Sequence, residues 1–178
     1  MAYILTAQLY DEDEVAAAGA FDRYRAYLAS VHNQLPLDVL RLATSDWYFD
    51  PGDHRCPHDA WLERVVVSEL GSGARGEVRT VEIAIRLLGA YHDGHIELRY
   101  PGVVRYRIEL APGQAAAGCG HRDWRHDEFR IGAAGGVIHE IEWWGREAAG
   151  TWLIEAANVE YRWCPLAGEK SPVSEPGA

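Results

Sequence analysis

Residues 81–110 read VEIAIRLLGAYHDGHIELRYPGVVRYRIEL, and the alternation in this stretch decides the fold class. Val81, Ile83, Ile85 and Leu87 fall on one side of an extended chain, with Glu82, Ala84 and Arg86 on the other. Ile96, Leu98 and Tyr100 oppose His95, Glu97 and Arg99 in the same way, and Val104, Tyr106, Ile108 and Leu110 oppose Arg105, Arg107 and Glu109. A period of two marks strands with one buried and one wet face. Between the runs stand Asp93-Gly94 and Pro101-Gly102, both short-turn signals. The spacing therefore predicts a three-stranded antiparallel meander over residues 78–110.

The same reading extends outward. Upstream, LERVVVSEL (62–70) adds a strand. Downstream of the link APGQAAAGCG (111–120), the segments EFRIG, VIHEIEWW and TWLIEA, running on to NVEYRW, predict a second meander. Before the strands the period changes to 3.6. Asp11 and Glu14 form a capping-box pattern, and Phe21, Tyr24, Leu28 and Val31 recur at helical spacing, predicting one amphipathic helix over about residues 13–33. Pro36 ends it and opens a short second helical stretch, PLDVLRLAT, with Leu37, Leu40 and Leu42 as its apolar side. The expected class is α+β: about seven strands in two meanders, as a curved sheet or partly closed barrel, with the long N-terminal helix packed on one face. One domain is expected over residues 1–166, with the sheet at about 61–163 and a flexible tail at 167–178.

Charge narrows the function. The 178 residues carry 27 acidic and 17 basic side chains, a formal net charge of −10, with Lys170 the only lysine. Such a field repels phosphate backbones and speeds encounter with a basic protein partner, so nucleic acid is not an expected ligand. No run approaches the roughly 18 apolar residues of a membrane span. MAYILTAQLY lacks a basic start and leads into the acidic DEDE, so no secretory leader is expected. Three cysteines, Cys56, Cys119 and Cys164, are an odd, widely spaced set without CxxC, which points to a reducing cytoplasm rather than a disulfide framework. Oligomeric state is left open by composition.

The densest chemistry lies in DHRCPHD (53–59). Cys56-Pro57-His58 and Cys119-Gly120-His121 are both Cys-x-His loops, and two such pairs meeting in space would offer zinc four N and S ligands. The spacer is tighter than zinc knuckles use, and loop residues that hydrogen-bond backbone groups give the same pattern. Histidine-aspartate pairs recur at His58, His92 and His126, a constant step of 34 residues, but HDAWLERV, HDGHIELR and HDEFRIGA share little else, so no repeat is inferred. Glu140 and Glu142 share a strand face with Trp144, as sugar-processing carboxylates beside tryptophan do, and as any wet sheet face in an acidic protein does. His139 alternates onto the opposite, core-facing side. Arg99, Arg105 and Arg107 either form a small basic patch or pair with carboxylates across strands.

The segments DWYFDPGDHRCPHDAWLE, LLGAYHDGHIELRYPGVVRY, GVIHEIEWW and TWLIEAANVEYRW resemble small uncharacterised bacterial proteins whose strand-rich core is entered through a histidine-aspartate and aromatic motif. Some similar small acidic α+β proteins are immunity proteins, inhibitors of a toxin encoded nearby. The resemblance implies a non-catalytic, immunity-like binding protein without a cofactor, anchored by exposed tryptophan, Trp61 among them, and by acidic groups. The alternatives are a metal-dependent enzyme or structural zinc protein built on Cys56, His58, Cys119 and His121, and a glycan-binding or glycan-hydrolysing sheet.

Overall fold

The computed structural model describes residues 3–5, 14–111, 118, 120–133, 135–144 and 149–166. Two helices, α1 (Glu14–Val31) and α2 (Leu37–Ala43), precede eight strands: β1 (Trp61–Ser72), β2 (Val78–Leu88), β3 (Gly94–Val103), β4 (Arg105–Arg107), β5 (Trp124–Ile131), β6 (Val137–Trp143), β7 (Gly150–Ala156) and β8 (Glu160–Pro165). They form two four-stranded antiparallel sheets, ordered β1-β2-β3-β8 and β4-β7-β6-β5. The fold is mostly antiparallel sheet with helices, α+β. The strands are divided between two sheets, neither of which closes into the partly closed barrel that is one of the expected forms. The expected tail at 167–178, and Asp11 of the capping pattern, lie outside the described residues.

The inner faces follow the alternation. Ile83, Ile85 and Leu87 of β2 and Ile96, Leu98 and Tyr100 of β3 are buried against Phe129, Val137, Ile141, Trp143, Trp152 and Ile154 of the second sheet. Tyr24 and Leu28 of α1 join the same core, with Phe21 and Val31 partly buried beside them. On α2 the buried face is Val39, Leu42 and Ala43 with Leu40 partly buried beside it, so of the apolar side expected at Leu37, Leu40 and Leu42 only Leu37, 58% exposed, turns outward. Each fully buried aliphatic side chain contributes roughly 1.5–3 kcal/mol.

The two expected meanders are corrected at their ends. Asp93-Gly94 does close the β2–β3 hairpin, but Pro101-Gly102 is not a turn. Strand β3 runs through it to Val103, Gly102 adopts a left-handed φ of 63°, and the ladder with β2 shifts between Val81 and Ile83. The carbonyls of Pro101 and Gly102 accept from Ala157 N at 3.1 and 3.2 Å. The chain therefore bends there instead of reversing, and β4 leaves the first sheet to pair with β7. Val104, Tyr106 and Leu110, expected in the core, are 67%, 48% and 45% exposed as a result. Reciprocally, β8 does not extend the second meander but crosses to pair with β3.

Three of the four sheet edges are managed. Along β5 the Tyr24 hydroxyl donates to Phe129 O (3.1 Å) and accepts from Phe129 N (2.6 Å), while Tyr27 Oη accepts from Ile131 N at 2.8 Å. Beside them the buried Glu128 carboxylate accepts from the backbone N–H groups of Tyr3 (2.8 Å) and Ile4 (3.0 Å). Strand β8 is flanked by Trp47, stacked at a tilt 5.1 Å from Tyr161, and Tyr161 Oη donates to Arg55 O at 2.6 Å. Strand β4 is only three residues long. The fourth edge, β1, is the longest strand of the molecule at twelve residues.

Candidate functional site

Two of the HD loops, His58-Asp59 and His92-Asp93, meet at one end of the sheets around Trp61. Asp59 N donates to Trp124 O (2.7 Å), Trp124 N donates to Ala60 O (2.9 Å), and Trp61 bridges Asp123, so a short ladder ties the start of β1 to the start of β5. Trp61 is 48% exposed, and the His92 ring meets its indole edge-on with centroids 4.5 Å apart. Beside it opens a cleft of about 460 Å³ lined by Trp61, Leu62, Gly120, His121, Arg122 and Asp123. Among the described residues three non-glycines hold a left-handed φ: Asp59 (62°), His92 (59°) and Arg122 (60°). All three border Trp61. Left-handed side-chain-bearing residues cost on the order of 1 kcal/mol each and concentrate at functional sites.

The acidic groups gather here too. Asp59 and Glu63 flank Trp61 along the chain, with side chains 56% and 39% exposed, and Asp123 faces it across the bridge. Below the cleft floor His121 stands edge-on to Trp152 at 4.8 Å and 5.3 Å from Trp143, capping a buried tryptophan cluster. Burial lowers the His121 pKa, and its Nδ1 has no hydrogen-bond partner among the described residues.

Of the expected zinc ligands, the three that lie among the described residues, Cys56, His58 and His121, do not line one cleft. Cys119 lies outside the described residues. Cys56 is buried, its Sγ–H donates to Tyr48 O at 3.0 Å, and burial pushes its thiol up to about 12, the reverse of an activated thiolate. His58 packs 5.6 Å from His126 over a separate cleft of about 230 Å³, which Cys56 also lines, whereas His121 lies in the Trp61 cleft. No group of three or more metal-ligating side chains gathers among the described residues.

The other expected binding residues are engaged within the fold. Glu142 is buried against Arg125 at 3.3 Å, Arg125 lies over the Trp144 ring at 4.2 Å, and Glu140 is held by Arg130, which also pairs with Glu128 at 3.0 Å. Arg99 bridges Glu82 and Glu160 (3.1 Å to Glu160), Arg105 pairs with Glu155 at 3.0 Å, and Arg107 lies 3.8 Å from Glu109. Cross-strand pairing thus accounts for Arg99 and Arg105, and a local pair along the chain for Arg107. Each exposed pair contributes under about 1 kcal/mol.

A polar network that periodicity does not reveal crosses the core. Asp127 Oδ2 accepts from Tyr48 Oη and from His139 Nε2, each at 2.8 Å, and Oδ1 accepts from Trp124 Nε1 at 2.9 Å. Tyr100 Oη donates to His139 Nδ1 at 2.8 Å. Burial first, and then the Asp127 charge, hold the Tyr48 and Tyr100 phenols well above their ordinary pKa, so both remain donors. His139 is fully buried, on the core side expected for it. The Tyr-His-Asp order resembles a catalytic relay, but Tyr100 and His139 are fully buried, and the network satisfies these polar groups inside the core.

No protein-family model matches the chain, and comparison with curated proteins and with solved structures finds no match to its sequence or its fold.

Proposed function

We propose that the protein is a non-catalytic binding protein, an immunity-like inhibitor whose acidic surface meets a basic toxin, with Trp61 as its anchor. The observation that carries this reading is the half-exposed Trp61 indole framed by three left-handed residues, Asp59, His92 and Arg122. Tryptophan is enriched among interface hot spots, and strained backbone clusters at ligand-contacting sites. Asp59, Glu63 and Asp123 around it, with the net charge of −10, favour a basic partner and fast encounter. Inhibition on this reading is steric and electrostatic occlusion and requires no cofactor. The free thiols of Cys56 and Cys164 suit a cytoplasmic setting.

The test is co-expression with each basic protein encoded by the flanking genes, followed by calorimetry on purified pairs. One of them should arrest growth alone, be neutralised by the wild-type chain, and bind Trp61→Ala at least about 30-fold more weakly, a hot-spot loss of roughly 2 kcal/mol. Arrest that the wild-type chain does not relieve, with no complex formed, overturns the reading.

A further inference from the structure

We infer that the partner adds a strand to the open edge of β1, and that the added segment is extended and basic. This deepens the reading of Trp61 as an anchor and rests on it. Long, flat, apolar edges template pairing with other chains, and proteins ordinarily shorten, cover or charge them. Here the β5 edge is covered by tyrosine hydroxyls of α1, β8 is only six residues long with Trp47 packed on its Tyr161 ring, and β4 is only three. On β1 only Trp61 pairs away from β2; among the described residues no backbone group from Leu62 to Ser72 has a partner on that side. A ladder irregularity between Leu62 and Arg64 leaves the rest of the strand regular.

Exposed apolar side chains stand on this edge beside three charged ones, Glu63, Arg64 and Glu69. Val66, Val67 and Leu70 are 40%, 44% and 47% exposed, and Val78 on the adjoining strand is 53% exposed. Neither lysine nor proline occurs between Trp61 and Ser72. The edge is also continuous with the Trp61 site, since Trp61 is its first residue. A strand laid along β1 would end against the exposed indole.

Charge selects the occupant. Glu63 is held by Arg86 at 3.0 Å, which leaves the exposed Glu69, with no ion-pair partner among the described residues, and the net charge of −10 to favour a basic segment. A second copy fits worse. Two copies would each bring a net charge of −10. Antiparallel pairing about a two-fold axis places residues of like face opposite each other. Arg64 lies opposite Arg86 and Glu69 opposite Val81, hence on opposite faces, so no such register sets one copy's Arg64 against the other's Glu69. A basic segment with alternating apolar residues meets both the charge and the side-chain period of the edge.

The experiment is residue-resolved amide hydrogen exchange on the full chain with a terminally blocked eight-residue peptide of alternating Lys and Val, and with its Glu-Val counterpart. The expected result is tenfold or greater added protection at alternate amides within Val65–Leu70 with the Lys-Val peptide and none with the Glu-Val peptide. Val66→Lys combined with Leu70→Lys, both outward-facing and exposed, should weaken that binding at least tenfold without altering the circular dichroism. Protection confined to residues around Trp61, or no protection anywhere, overturns strand addition. So does a concentration-dependent dimer whose β1 amides are protected without peptide, which would name a second copy as the occupant. Toxin neutralisation with β1 amides left unprotected would sink this inference alone; peptide capture on β1 with no toxin neutralised would sink only the immunity reading.

Discussion

The Tyr100 hydroxyl of β3 and Nδ1 of His139 on β6 lie 2.8 Å apart, a polar tie between the two sheets inside an otherwise apolar core. Tyr100→Phe keeps the ring and its packing but leaves a buried imidazole nitrogen without a partner. The expected loss is about 1–3 kcal/mol in urea denaturation. Asp127→Ala, which strands the donors of Tyr48, Trp124 and His139 together, should cost more than any single-donor change. Equal stability of Tyr100→Phe and wild type would show that the tie contributes nothing.

Tyr24 closes the β5 edge through one hydroxyl that both donates to and accepts from Phe129. Tyr24→Phe therefore leaves a buried peptide group unpaired, with an expected cost of about 1–2 kcal/mol. Faster exchange of the Phe129 amide, beyond that expected from the change in global stability, is the specific readout. Unchanged exchange there would mean another group closes the edge.

Burial, and then the charges of His58 and Arg125, lower the His126 pKa from 6.5 to about 4. The unfolded chain thus takes up a proton near pH 6.5 that the folded chain accepts only near pH 4. This group leaves stability untouched above that window and erodes it as the pH falls through it, by on the order of 3 kcal/mol in all. His126→Gln should flatten the stability profile between those pH values. A variant profile parallel to that of wild type would assign the acid sensitivity elsewhere.

Asp59 occupies a left-handed conformation that glycine adopts freely. Thermal midpoints should rank Asp59→Gly at or above wild type and Asp59→Ala below it, with the Gly–Ala gap on the order of 1 kcal/mol. A glycine variant less stable than the alanine variant would show that the backbone at this position is not strained.

Cys56 keeps its proton at neutral pH and spends it on the Tyr48 carbonyl. Cobalt added to the native protein is accordingly expected to give no charge-transfer absorbance that disappears in Cys56→Ala. A Cys56-dependent band would return the Cys-x-His loops to consideration as ligands.

What the sequence made legible follows from what periodicity reports. The inner faces of β2 and β3 were readable because every second residue is apolar, and His139 was readable as a core residue because it keeps step with Val137, Ile141 and Trp143. Asp93-Gly94 and Pro101-Gly102 carry similar local turn signals, and only long-range pairing separates them. The contacts of Ala157 with Pro101 and Gly102 turn the second pair into a corner. Asp127 escaped notice because its partners, Tyr48, Trp124 and His139, come from three separate places in the chain. The arginine patch had two open readings, and register decided between them: Arg99 stands beside Glu160, as cross-strand pairing requires.

The exchange of β4 and β8 between the sheets has a consequence for how the molecule divides. A cut between Ala111 and Gly118 would separate one fragment holding β1 to β4 from another holding β5 to β8, yet each would carry a strand that belongs to the other's sheet. Neither half can complete its own ladder. The two halves are complementary pieces, suited to reassembly from separate chains, and the order of β1 to β8 along the chain is a matter of connection rather than of independent folding units.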